Sequence, residues 1–238
     1  HHHRFSERAI GHALFEVAPA RGITCGGLSG LLDETPVDDI GGVRTSAWSC
    51  AHGLERWRSA CGCSTDGREG SHQRWRSALR ECLDVLAAHA RDVFVRRGLE
   101  VFEDPFAARD AYGEVLADPS TWDAFVHEQV RPLASAEEAH MLLSSQEATL
   151  ASFTSCAWFF ADLARPETGI VLAEAARSLA ILESLGEAVP LDRALAAFDV
   201  PGALDVPPGR PALRSGRELW DWALTERSVR GRDDSGLF

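Results

Sequence analysis

From Ser71 onward, apolar side chains return every three or four residues, and nowhere does the chain alternate apolar and polar as a half-buried strand would. That periodicity restricts the chain to packed helices. Ser71 is a suitable N-cap for a first long helix, with Trp75, Leu79, Cys82, Leu83, Leu86 and Val93 on one face as far as about Arg97. Asp104-Pro105 opens a second, reaching about Leu116, because proline fits the first helical turn. Asp118-Pro119 interrupts, and Trp122, Phe125, Val126 and Val130 form a third stripe. Ser135 and Glu138 have capping-box spacing, and the helix they start is expected to pass Met141, Leu142, Leu150, Phe153 and Trp158 to about Leu163. Pro166 begins another, stopped at Gly186, and helices at 190–198 and 216–227 flank a Pro/Gly-rich stretch. Hairpin signals and internal repeats are missing. The expected class is mainly α, with a helical bundle over 71–238.

The first third is different. Phe5, Ala9, His12, Ala13 and Phe15 have near-helical spacing, which Pro19 and Gly22 end. Residues 22–49 are rich in Gly and Asp, with one short helix expected at Leu28–Leu32, and 48–70 is again non-periodic. Hydrophobic residues at 45% and charged residues at 25% give the ordinary globular balance. A net charge of −12 lacks the footprint of a nucleic-acid binder and disfavours anionic membrane surfaces. No apolar run approaches the roughly 20 residues that span a bilayer, and the first residues lack signal-peptide architecture. A cytoplasmic location with reduced thiols is expected. All 24 cationic side chains are Arg, which reads as codon usage in a GC-rich genome.

Within that irregular third, Cys50, His52, Cys61 and Cys63 form two pairs of donors, each pair separated by one residue. Thiolate sulfur and imidazole nitrogen are the donors zinc takes in tetrahedral sites, and Gly53 and Gly62 supply backbone freedom around them. The spacing is not that of a C-x-x-C knuckle. It also suits iron–sulfur ligation, for which Cys156 would be a fourth thiolate. Buried unliganded thiols or a disulfide are the bland alternatives. No C-x-x-C-H supports covalent haem attachment. His1, His2 and His3 read either as a tag remnant or as native ligands or sugar contacts. Trp158-Phe159-Phe160 reads as core, or as a stacking platform at a helix end. Phosphate loops, G-x-S-x-G elbows and H-E-x-x-H motifs do not occur.

The string from Thr45 to Arg58, TSAWSCAHGLERWR, followed by Cys61-Gly62-Cys63, resembles the signature of the bacterial domain-of-unknown-function 3536 family. Asp104–Asp110, Thr154–Phe160 and Pro166–Thr168 are similar to it too, so the likeness spans about 1–185. That family is joined to the C-terminal side of glycoside hydrolase family 57 catalytic domains. The resemblance implies a remnant of an α/β barrel end at 1–47, a metal-binding segment at 48–70 and a helical domain at 71–238. The whole would be part of an α-glucan-active hydrolase or transferase. It favours native His1, His2 and His3 and makes Trp158 a sugar contact beside Cys156. The acid/base Asp and nucleophilic Glu of the family lie upstream of the match, so these residues do not carry a two-carboxylate mechanism. The implied partners are an α-glucan or oligosaccharide, met through an upstream catalytic domain or chain. The competing reading is a non-catalytic helical protein holding zinc, an iron–sulfur cluster or haem.

Overall fold

The computed structural model describes residues 10–26, 47, 49–63, 73–161, 163, 165–198 and 215–230, with side chains to 225 in the last helix. The chain divides into two compact units, His1–Thr45 and Ser46–Phe238. In the first, residues 10–20 are helical, with a π-helical turn at Ala13–Val17 and an α-helical turn at Ala18–Ala20. Helical structure stops at Ala20, two residues before Gly22 at φ 73°, while Pro19, expected to help end it, sits within the last turn. His1, His2, His3, the short helix at Leu28–Leu32 and the Ser71 cap lie outside the described residues.

The second unit is helical. A 3-10 turn, Glu55–Trp57, precedes α1 (Trp75–Val101), α2 (Pro105–Ala117), α3 (Trp122–Gln129) and α4 (Ala136–Ala151). There follow α5 (Cys156–Phe159), α6 (Pro166–Ser184), α7 (Leu191–Ala197) and α8 (Gly216–Arg230). Among the described residues there is no strand, only an isolated antiparallel bridge between Phe102 and Val130. A mainly α fold with a Cys/His segment ahead of the helices is therefore what the chain adopts.

Helix ends follow the polar residues that mark them. The Asp104 carboxylate accepts the amides of Phe106 and Ala107 at 2.8 and 3.1 Å, and Ser135 Oγ accepts that of Glu138 at 3.3 Å. The helix expected from Ser135 to Leu163 instead breaks after Ala151. There Ser152 Oγ donates to the Thr149 carbonyl and Thr154 Oγ1 to that of Ala151, so the 152–155 run of hydroxyls competes with the helix for its own acceptors. The break produces α5, whose position matters below.

Two large apolar clusters and a small one, Ala90 and Val93 with Leu182, share α1, which at 27 residues is about 40 Å long. Its N-terminal half buries Trp75, Leu79 and Leu83 with Trp158, Leu172, Phe198 and Trp220 from α5 to α8. Its C-terminal half buries Phe94 and neighbouring Phe102 with Tyr112, Phe125 and Leu142 from α2, α3 and α4. Burying each such side chain contributes roughly 1.5–3 kcal/mol. Arg97 of α1 closes the gap to α4 and the 185–187 turn, pairing with Glu138 at 2.8 Å and Glu187 at 3.1 Å.

Candidate metal centre

Residues 49–63 have no regular structure beyond the 3-10 turn, because two glycines let the chain double back. Gly53 and Gly62 sit at φ 73° and 76°, in the left-handed region that side chains with a Cβ resist. Each follows a donor. The Gly53 amide bonds back to the Cys50 carbonyl at 3.2 Å, closing the turn that sets His52 beside Cys50. Gly62 reverses the chain between Cys61 and Cys63.

These turns bring Cys50, His52, Cys61 and Cys63 together, with one ligand atom from each lying within 4.8 Å of all the others. Cys50 Sγ is 3.9 Å from both Cys61 Sγ and His52 Nδ1, and Cys63 Sγ is 3.4 Å from the same nitrogen. A regular tetrahedron with 3.9 Å edges has its centre about 2.4 Å from each corner, close to the ~2.3 Å zinc–sulfur bond. The set could therefore hold a metal ion. All six cysteines are free thiols, and 3.9 Å is far from the ~2.05 Å of a disulfide.

The local field favours the charged form at one sulfur. Burial pushes the Cys50 thiol up, yet the amides of His52 and Arg56 and the side chains of His52 and Cys63 outweigh it, holding Cys50 at about 6. Burial raises the Cys61 thiol. Cys82 is a contrast: enclosed in the bundle with no polar partner, it is pushed up to about 12 and behaves as a small hydrophobe.

Two of the remaining sequence-derived candidates are placed elsewhere. Cys156 is exposed at the start of α5 and is not part of the four-donor group. Trp158 is 1% exposed, packs in the first apolar cluster, and donates its indole N–H to the Arg76 carbonyl at 3.1 Å. A side chain so enclosed has no face for a sugar, which corrects the role implied for it.

Sequence reasoning missed Arg56 and Arg76, which are 3% and 0% exposed. Arg76 Nη1 donates to the Cys63 carbonyl at 2.6 Å and lies 3.9 Å from Cys61 Sγ. Its Nη2 donates to the Phe160 carbonyl at 3.2 Å. Arg56 donates to the Phe159 carbonyl at 2.8 Å, and Gln73 to that of Ala161 at 3.4 Å. Three successive carbonyls at the end of α5, orphaned as helix ends are, thus receive donors from beside the cysteines and the approach to α1. The available signal was the repeated tripeptide, Arg56-Trp57-Arg58 and Arg74-Trp75-Arg76. Codon usage accounts for why these residues are not Lys; it does not account for their burial.

The model of a family described as a domain of unknown function, DUF3536, matches residues 72–198. No curated protein and no solved structure gives a match. The matched span includes the stretches at 104–110, 154–160 and 166–168, while the Cys/His segment lies just ahead of it. Since the match takes in more than half of the sequence, the chain belongs to the domain-of-unknown-function 3536 family.

Proposed function

We propose that residues 50–63 hold one zinc ion, and that this ion braces the segment against the α1 and α5 ends of the bundle. The brace would serve a glycoside hydrolase family 57-like, α-glucan-active protein in which these residues supply structure rather than catalytic carboxylates. The observation that carries the proposal is the convergence of four donor atoms within 4.8 Å. Three sulfurs and one nitrogen suit zinc in a closed structural site. An iron–sulfur cube prefers four thiolates and more room than four donor atoms within 4.8 Å of one another enclose. Haem is less well served still, since its iron takes one or two axial protein ligands, and four donors this close leave no room for a porphyrin between them.

The role as a brace draws support from Arg56, Arg76 and Gln73, which tie the same region to the end of α5. The glucan context rests on the motif likeness described above. An α-glucan or oligosaccharide would be engaged through a catalytic domain or chain that this region supports, in the reducing cytoplasm. A free-standing, non-catalytic metal protein would share the centre and lack the glucan partner.

Metal analysis with a visible spectrum tests the proposal. One zinc per chain and no colour is the expected result. A brown or red protein with iron would replace zinc, and a chain that purifies metal-free and takes up none would end the metal reading. The context is tested separately, by asking whether the chain stabilises a family 57-type catalytic domain supplied with it.

A further inference from the structure

Arg56 and Arg76 pose an electrostatic problem that the four donors resolve. Two guanidiniums are buried close enough for Arg56 to act against the charge on Arg76, and among the described residues no carboxylate pairs with either. The Nε atoms of both are buried without a hydrogen-bond partner. Buried cations are ordinarily compensated by a nearby anion, since their desolvation is costly. The groups within reach that become anionic on taking up a metal are the sulfurs: Cys61 Sγ lies 3.9 Å from Arg76 Nη1, and Arg76 also holds the Cys63 carbonyl. A divalent ion on three thiolates and a neutral imidazole carries a net charge of −1, the thiol protons having gone to water.

We propose that Arg76, backed by Arg56, is the built-in counter-charge of the metal centre, a positioning residue that stabilises a net-anionic three-thiolate site on the half-buried edge of the bundle. The inference rests on the metal reading above and deepens it. Arg76 joins the donors to α1, so loading the site converts two mutually repelling buried cations into the positive half of an ion pair. It also explains why an arginine rather than an apolar residue fills this fully buried position. Outer-shell partners of metal ligands commonly tune affinity in this way.

The test is chelator-competition titration of zinc into the parent chain, Arg76→Lys and Arg76→Gln, with the cobalt(II) spectrum of each. Lysine keeps the charge and loses the fork; glutamine keeps amide donors and loses the charge. We expect Gln to weaken zinc binding about 10- to 100-fold, and Lys to stay within about threefold of the parent. The thiolate-to-cobalt charge-transfer band should move to lower energy in Gln alone, because the sulfur electrons lose their neighbouring cation. Equal losses in both variants, or none in either, would overturn the counter-charge role while leaving the metal site standing. A parent chain that binds no zinc would instead overturn the metal reading. Should an Arg76 variant fail to fold, the same pair of substitutions at Arg56, with smaller shifts expected in the same order, decides the matter.

Discussion

The bundle and the segment at 49–63 are held by different forces. Across the bundle, α1 presents an apolar stripe to its clusters, and most buried side chains are apolar, with a minority of buried polar ones such as Arg76, Ser145, Gln146 and Thr168 among them. In the segment the fully buried residues are a thiol, Cys50, and a cation, Arg56. Area burial stabilises the first region diffusely, so many substitutions there would be partly absorbed. The second depends on a few directed bonds to sulfur, nitrogen and backbone oxygen, and is expected to fail in an all-or-none way. If the proposed ion is bound, helical packing should not require it, whereas the segment should.

Replacing Cys61 and Cys63 together by Ser should break the contrast most sharply. Zinc binding should be lost, together with a metal-dependent stabilisation of several kcal/mol, as calorimetric melting with and without zinc would record. Far-ultraviolet circular dichroism should stay largely helical, and collapse of the helical signal would show that the bundle depends on the segment. Phe94→Ala probes the other side. It should cost about 3–5 kcal/mol in denaturant unfolding by opening a cavity in the second cluster, with zinc affinity unchanged.

Smaller effects sharpen the picture within the bundle. Asp104→Ala removes the acceptor for two amides at the start of α2 and should cost about 1 kcal/mol. Glu187 supplies a pH-dependent contribution. Its hydrogen bond with Arg96 holds its carboxyl below the usual value of 4.5, with burial opposing and Arg97 adding to the effect. Because the folded value is the lower one, the stabilisation is fully present above pH 4.5 and is lost as pH falls through the folded value. Glu187→Gln should flatten that acid limb by no more than about 1 kcal/mol, since Arg96 is largely exposed. A parallel acid limb in parent and variant would assign the pH dependence to other carboxylates.

Much of the bundle was legible because each local signal has a local cause. Asp104-Pro105, the Ser135 cap and Gly186 mark helix boundaries through hydrogen bonds or backbone freedom within a few residues of themselves. The four donors were legible for the same reason, being close in sequence and punctuated by glycine. What escaped was long-range. The partners of Arg56 and Arg76 lie 103 and 84 residues away, at the end of a helix whose existence depends on the hydroxyl-rich break before it. Apolar spacing runs through that break unchanged, which is why the spacing placed Trp158 in the core correctly but on a continuous helix rather than on the separate α5.

In the proposed centre one metal ion draws Cys50, His52, Cys61 and Cys63 together. X-ray absorption at the zinc edge of the loaded protein tests it most directly. The account predicts a first shell of three sulfurs at about 2.3 Å and one nitrogen at about 2.0 Å, with no coordinated water. A shell dominated by oxygen or nitrogen, or one that is unchanged when Cys61 and Cys63 are replaced by Ser, would contradict it.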